Sequence, residues 1–163
     1  MSSSRPGDDS SRALAAAIRY TRAGVHASRD VLAYLTRRGV PPGTAARLVS
    51  ACQHRGLVDD RACARLWADH WARRGYAQAA IRVKLSAKGL DERTIEQAIA
   101  RTGAALDDDA RARAFVAERA RRGSGRGARS RLARTLASRG FDPDLIAQVL
   151  DEPWGPTPSD AER

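Results

Sequence analysis

Three copies of one short motif decide the fold: LTRRGV at residues 35–40, LSAKGL at 85–90 and LASRGF at 136–141. Each copy reads leucine, two variable residues, a basic residue, glycine and an apolar residue. The three glycines are spaced by 50 and 51 residues. A period of this length indicates tandem structural repeats.

Each copy of the motif has the features of a helix end. An apolar residue four positions before the leucine shares its helical face: Val31, Ile81 or Leu132. The basic residue suits the last carbonyls of a helix, and glycine suits the left-handed residue beyond them. A second apolar helical face follows each glycine, and a further helix precedes each motif. We therefore predict an all-α protein of tandem three-helix repeats, in three copies, which form an elongated, curved array.

The repeat spacing also predicts the domain boundaries. Repeats 1, 2 and 3 are expected at residues 11–57, 58–106 and 107–152. Residues 1–10 are rich in Ser and Asp and are expected to be disordered, and the proline-rich residues 153–163 are expected to form a flexible tail. A glycine-rich insertion of three residues is expected within 124–127, because the offset between repeats 2 and 3 changes there.

Composition excludes several classes of protein. The chain of 163 residues has 29 Lys+Arg against 19 Asp+Glu, a net charge of +10, and its aromatic content is only 5%. It has no apolar run of the length that spans a membrane, and its N-terminus lacks the apolar core of a signal peptide. Two cysteines cannot make a disulfide scaffold. We expect a cytoplasmic protein.

Basic side chains are the main candidates for binding. The stretch from Arg119 to Arg139 contains eight arginines and no acid, whereas ordinary surfaces mix both signs of charge. Such a stretch predicts attraction to phosphates or to an acidic protein surface, although arginine on a solvated face is the simpler interpretation of any single residue. The candidates for contact with DNA or a protein–DNA filament are Arg37, Arg38, Arg73, Arg74, Arg82, Lys84, Lys88, Arg121, Arg122, Arg126, Arg129, Arg131, Arg134 and Arg139.

Other residue groups give weaker signals. Trp67 and Trp71 could stack on bases, but a packing role is favoured for Trp67 and the role of Trp71 stays open. The spacing of the cysteines and histidines does not fit a zinc site, so we expect no metal and predict that the cysteines are packing residues. The acidic clusters at 59–60 and 107–109 are predicted to begin helices. No catalytic constellation emerges, and we expect a protein that is not an enzyme.

The motifs together resemble the RecX family of bacterial regulators of the RecA recombinase. The resemblance rests on RDVLAYLTRRG at residues 29–39, GLVDD at 56–60 and KLSAKGL at 84–90, and it extends over about residues 11–152. One departure is the triplet at 62–64, which is Ala-Cys-Ala where the family usually has Arg-Phe-Ala.

The resemblance implies a function as well as a fold. It implies tandem three-helix repeats that bind the RecA–DNA filament and modulate, usually inhibit, its ATPase, recombination and strand-exchange activities, without cofactors. It also places the protein in homologous recombination, DNA repair and the SOS response. We expect a monomer that contacts RecA and single- or double-stranded DNA. The alternative is a basic helical protein that binds DNA independently of RecA.

Overall fold

A computed structural model describes residues 6–105, 107–121 and 127–152. Within these ranges the chain forms nine α-helices and no strand. In chain order they are α1 (Pro6–Arg22), α2 (Ser28–Arg37), α3 (Pro42–His54), α4 (Asp60–Arg73), α5 (Gln78–Ala87), α6 (Glu92–Ala105), α7 (Asp108–Arg121), α8 (Ala128–Ser138) and α9 (Pro143–Asp151).

The predicted all-α fold of three-helix repeats is confirmed. Helices α1–α3, α4–α6 and α7–α9 form the three repeats. Helix α1 begins at Pro6 and so extends into the stretch 1–10 that the sequence predicts to be disordered, because proline fits the first turn of a helix. The predicted tail at 153–163 and the insertion at 124–127, apart from Gly127, lie outside the described residues.

The repeated motif is the C-terminal cap of the middle helix of each repeat. The glycines at 39, 89 and 140 have φ angles of +80°, +76° and +81°, in the left-handed region. The N–H of Val40 donates to the carbonyl of Leu35 at 3.1 Å, and the N–H of Phe141 donates to that of Leu136 at 3.2 Å. These bonds define a Schellman motif, in which leucine, glycine and the final apolar residue each have a fixed place.

The first aspartate of each acidic cluster caps its own helix, as predicted. The Asp59 carboxylate accepts the N–H of Ala62 at 2.9 Å, and the Asp107 carboxylate accepts that of Ala110 at 2.7 Å. Both bonds satisfy N–H groups in the first turn that have no partner within the helix.

The second aspartate of each cluster caps a different helix. Asp60 of α4 accepts the N–H of Ser28, the first residue of α2, at 2.7 Å. Asp108 of α7 accepts the N–H of Gln78, the first residue of α5, at 3.0 Å. The residue before each capped helix is a buried alanine, which has no side-chain acceptor. The leading helix of one repeat therefore completes the middle helix of the repeat before it.

Contacts divide the chain into two compact units. Unit 1 contains the residues up to Leu66 together with Leu85–Ile95, and unit 2 contains Trp67–Lys84 together with the residues from Glu96 onward. Each unit has an apolar core in which the motif leucines are fully buried. The core of unit 1 includes Val31, Leu35, Ala45, Val49, Cys52 and Val58. The core of unit 2 includes Val116, Leu132, Leu136, Phe141, Ile146, Val149 and Leu150.

Candidate nucleic-acid interface

The basic candidates of unit 1 lie at helix ends. Arg37 and Arg38 are both exposed at the end of α2, and the Arg38 guanidinium lies 5.4 Å from the centre of the Tyr34 ring. The Tyr34 ring in turn stacks on Tyr20 at 4.2 Å. Lys88 is half-buried and forms an ion pair with Asp30 at 3.9 Å. Arg37 and Arg38 are therefore the more available cations of this unit.

Unit 2 places aromatic rings and cations together near the end of α4. The Trp67 and Trp71 rings stack at 5.3 Å, and both residues are half-buried, with the indole nitrogen of Trp67 buried. The Lys84 ammonium lies 5.7 Å from the Trp71 ring centre and 4.7 Å from that of Tyr76. Protein cations thus already contact rings that could otherwise stack on bases.

Arg139 extends this aromatic–cationic cluster. Its guanidinium lies 5.4 Å from the Tyr76 ring centre and 4.4 Å from that of Phe115, and the Arg119 guanidinium lies 5.1 Å from Phe115. Burial lowers the pKa of Arg139, Tyr76 counteracts that effect, and the nearby Arg119 and Arg74 lower it further. Arg139 is therefore a positioned, partly desolvated cation.

The arginine run that lacks acids in sequence meets acids in space. Arg121 forms an ion pair with Glu118, one turn earlier, at 2.6 Å, and Arg129 forms one with Asp151 of α9. Arg82, another candidate, lies 3.5 Å from Glu96. Arg122 and Arg126 fall outside the described residues. The interpretation of residues 119–139 as a uniformly positive stripe is therefore too simple, because α9 supplies an acid from outside the run.

The exposed cations without a carboxylate partner form a smaller set. Arg73 is the last residue of α4, Arg74 lies in the turn that follows, and Arg134 lies on the surface of α8. Among the described residues no carboxylate lies within ion-pair distance of these three side chains. The unpaired cations of unit 2 are the ones that can exchange water for phosphate at the lowest cost.

The cysteines are packing residues, as predicted. Cys52 and Cys63 are both fully buried free thiols. Burial raises the pKa of Cys52, although the charge of Arg55 opposes the effect, so the thiol stays protonated and unreactive. In the described part of the chain, no three His, Cys, Asp or Glu side chains are grouped as metal ligands. The same ranges contain no helix with the length and apolar character of a membrane span.

Sequence comparisons agree with this architecture of tandem three-helix repeats. Residues 59–99 match the family model for the second three-helix domain of RecX, and residues 107–150 match that for the third. A regulatory protein RecX from Mycobacterium sp. (strain KMS) is 30% identical over 145 residues, which cover 82% of this chain and 76% of that protein. The chain belongs to the RecX family.

Other relatives match over different lengths. A regulatory protein RecX from Thermus thermophilus is 43% identical over 83 residues, and the chain spans 55% of the length of that relative. The crystal structure of RecX from Lactobacillus salivarius is similar with a TM-score of 0.66 and 20% identity, over 89% of this chain and 96% of that one. At that identity, the structural likeness supports the fold.

Proposed function

We propose that this protein is a non-enzymatic regulator of RecA, which binds the RecA–DNA filament and inhibits its ATPase, recombination and strand-exchange activities. Membership of the RecX family carries the proposal, because the family model matches cover two of the three repeats. Tandem helical repeats present long surfaces that suit a filament, where many modest contacts act together.

We assign the filament contact in unit 2 to the unpaired cations. Arg73 and Arg74 are exposed and have no carboxylate partner among the described residues, whereas Arg121 and Arg129 are paired with Glu118 and Asp151. A paired arginine must lose its carboxylate before it binds phosphate or an acidic surface, so it contributes less to binding.

The test compares two double variants with the same loss of charge. RecA ATPase activity on single-stranded DNA is titrated with the wild type, with R73Q/R74Q and with R121Q/R129Q. The concentration that gives half-inhibition should rise about tenfold or more for R73Q/R74Q, since two charged contacts are lost, and clearly less for R121Q/R129Q. Equal effects would show that only net charge matters, and a wild type without any effect on the ATPase would refute the proposal.

The alternative is DNA binding that does not involve RecA. The observation in its favour is the exposed, unpaired arginines of unit 2, which any nucleic-acid backbone could attract. It predicts tight binding to bare DNA with a steep salt dependence, about 0.9 in log–log slope for each phosphate neutralised on duplex DNA. Firm binding to RecA-coated DNA together with weak binding to bare DNA would favour the filament regulator.

A further inference from the structure

Unit 2 contains a cavity of about 430 Å³ that neither the motif nor the family resemblance explains. One wall is the end of α4 and the turn that follows it, from Ala72 to Gly75. The opposite wall is one face of α7, and Arg139 at the end of α8 closes a third side. Ligand sites in proteins have volumes of this order.

Arg111 of α7 lines this cavity and is only 3% exposed. Its Nη2 donates to the Asp108 carboxylate at 2.6 Å, while its Nε and Nη1 have no hydrogen-bond acceptor among the described residues. Asp108 also accepts the N–H of Gln78, so its oxygens are shared. A buried guanidinium with two unmatched N–H donors is costly, and an acceptor that moved from the cavity to meet these donors would remove that cost.

The position of Arg111 in the repeat makes its charge unusual. The repeat 2 residue at the same place is Cys63, since the segments that begin at Asp59 and Asp107 correspond. Both side chains are buried, but Cys63 is neutral and small. The helical packing of repeat 2 therefore needs no charge at this place, and in repeat 3 the ion pair with Asp108 uses only one of the three nitrogens of Arg111.

The charge around the cavity is strongly positive. Its lining includes five arginines and one carboxylate, Glu118, which pairs with Arg121. The arginines are Arg73, Arg74, Arg111, Arg119 and Arg139. Burial is the main cause of the lowered pKa of Arg139; Tyr76 opposes it, and the charges of Arg119 and Arg74 lower the pKa further.

Gly75 holds the cavity wall close to its cations. It has a φ of +73°, and a Cβ atom there would lie 2.9 Å from Nη1 of Arg139 and 3.1 Å from Cδ2 of Phe115. The Arg139 backbone is fixed as well, because its carbonyl accepts the N–H of Ala77 at 3.0 Å. The Arg139 guanidinium is thus positioned by backbone and ring contacts before any ligand arrives, which lowers the cost of binding.

We propose that this cavity binds a phosphate group, with Arg111 as the buried donor and Arg74, Arg119 and Arg139 as the surrounding cations. Guanidinium groups donate to carboxylates and phosphates alike, but a phosphate offers more acceptor oxygens and more negative charge than a carboxylate does. Several guanidiniums on different walls of the cavity fit a tetrahedral phosphate better than a planar carboxylate. The phosphate belongs either to a nucleic acid, which rests on the proposed function, or to a free phosphate compound.

The experiment measures thermal unfolding of the full chain against inorganic phosphate, with chloride at the same ionic strength as reference. Phosphate should raise the unfolding midpoint of the wild type saturably, because it binds the folded state. R111M should lose this shift, while R134Q, a matched exposed arginine outside the cavity, should retain it. The double variant R74Q/R119Q alters only exposed residues and should weaken phosphate binding about tenfold or more.

A second arm identifies the source of the phosphate. If R111M also weakens binding of a single-stranded oligonucleotide, the site takes nucleic-acid phosphate; if it affects inorganic phosphate alone, the site takes a free phosphate compound. A wild type with no saturable shift beyond chloride, or an unchanged shift in both R111M and R74Q/R119Q, would overturn the proposal. RecA ATPase inhibition is measured separately, so this proposal and the regulatory function fail independently.

Discussion

Replacing Gly140 with alanine should destabilise the protein more than the same change at Gly39, although the two glycines have the same role. Both end a middle helix, with φ angles of +81° and +80°. A left-handed alanine costs about 1–2 kcal/mol at either position, partly offset by about 0.4–1 kcal/mol from the stiffer unfolded chain. The backbone contribution should therefore be nearly equal.

The difference comes from the space around each glycine. A Cβ at Gly39 would meet nothing within 4 Å, whereas one at Gly140 would lie 2.8 Å from Cβ of Ala80 and 3.4 Å from its backbone nitrogen. Relief of that overlap requires a shift between α5 and the end of α8, which costs about 1–3 kcal/mol. G140A should therefore lose at least about 1 kcal/mol more than G39A.

The assay is urea unfolding followed by circular dichroism, with the fluorescence of Trp67 and Trp71 as a probe of unit 2. A double-mutant cycle with Ala80→Gly isolates the steric part, since glycine at 80 removes the overlapping methyl group. The double variant should recover most of the extra loss, apart from about 1 kcal/mol of helix propensity. Equal losses for G39A and G140A, or no coupling between positions 80 and 140, would refute the reasoning.

Three further outcomes are expected. D60A should lose about 0.5–2 kcal/mol in urea unfolding, because it leaves the N-terminus of α2 without an acceptor, and D108A should lose more, because it removes the acceptor of α5 and also the carboxylate partner of the buried Arg111. Thr94 donates hydrogen bonds to Asp91 from its hydroxyl and from its backbone N–H, and these bonds lower the pKa of the Asp91 carboxyl. The stability that the ionised Asp91 contributes is present above about pH 4 and is lost as the pH falls through the lowered pKa. T94V should therefore reduce the dependence of Tm on pH in the acid range. The Cys52 thiol, whose pKa is raised by burial, should resist a thiol reagent at neutral pH and react once urea unfolds the chain.

The controls for these outcomes lie in the same segments. D109A, which removes only the ion pair with Arg113 on the surface of α7, should cost less than D108A. The same dependence of Tm on pH in T94V and the wild type in the acid range would contradict the role given to Asp91. Rapid labelling of the folded protein would show that the thiols are accessible.

The helix ends were predictable because their determinants are local. The motif at 35–40 contains every residue of its own Schellman cap, and Asp59 bonds to a residue only three positions away. The hydrogen bond from Ser28 to Asp60 joins residues 32 positions apart, and no local sequence pattern at either residue predicts it. Pairing of Arg129 with Asp151 likewise depends on how α8 packs against α9. Such contacts follow from tertiary structure, and local sequence patterns do not contain them.

Arg111 was the most instructive omission among the candidate residues. A count of charges along the chain places it among ordinary arginines, whereas its burial distinguishes it from every predicted candidate that the structure describes. A signal was present in the repeat alignment, which sets Arg111 against the buried Cys63. A charged residue at a place where another repeat buries a small apolar one indicates a partner for that charge.

Because each capping aspartate follows its helix in the chain, the ribosome makes the helix before the residue that caps it. The first residue of α2 is made 32 residues before Asp60, the group that completes its N-terminus. At about 5–20 residues per second, α2 waits roughly 2–6 s for its cap, and α5 waits about as long for Asp108. Repeats 1 and 2 therefore reach their final stability only after the start of the next repeat has emerged, and a chain halted between repeats exposes an open helix end to proteases.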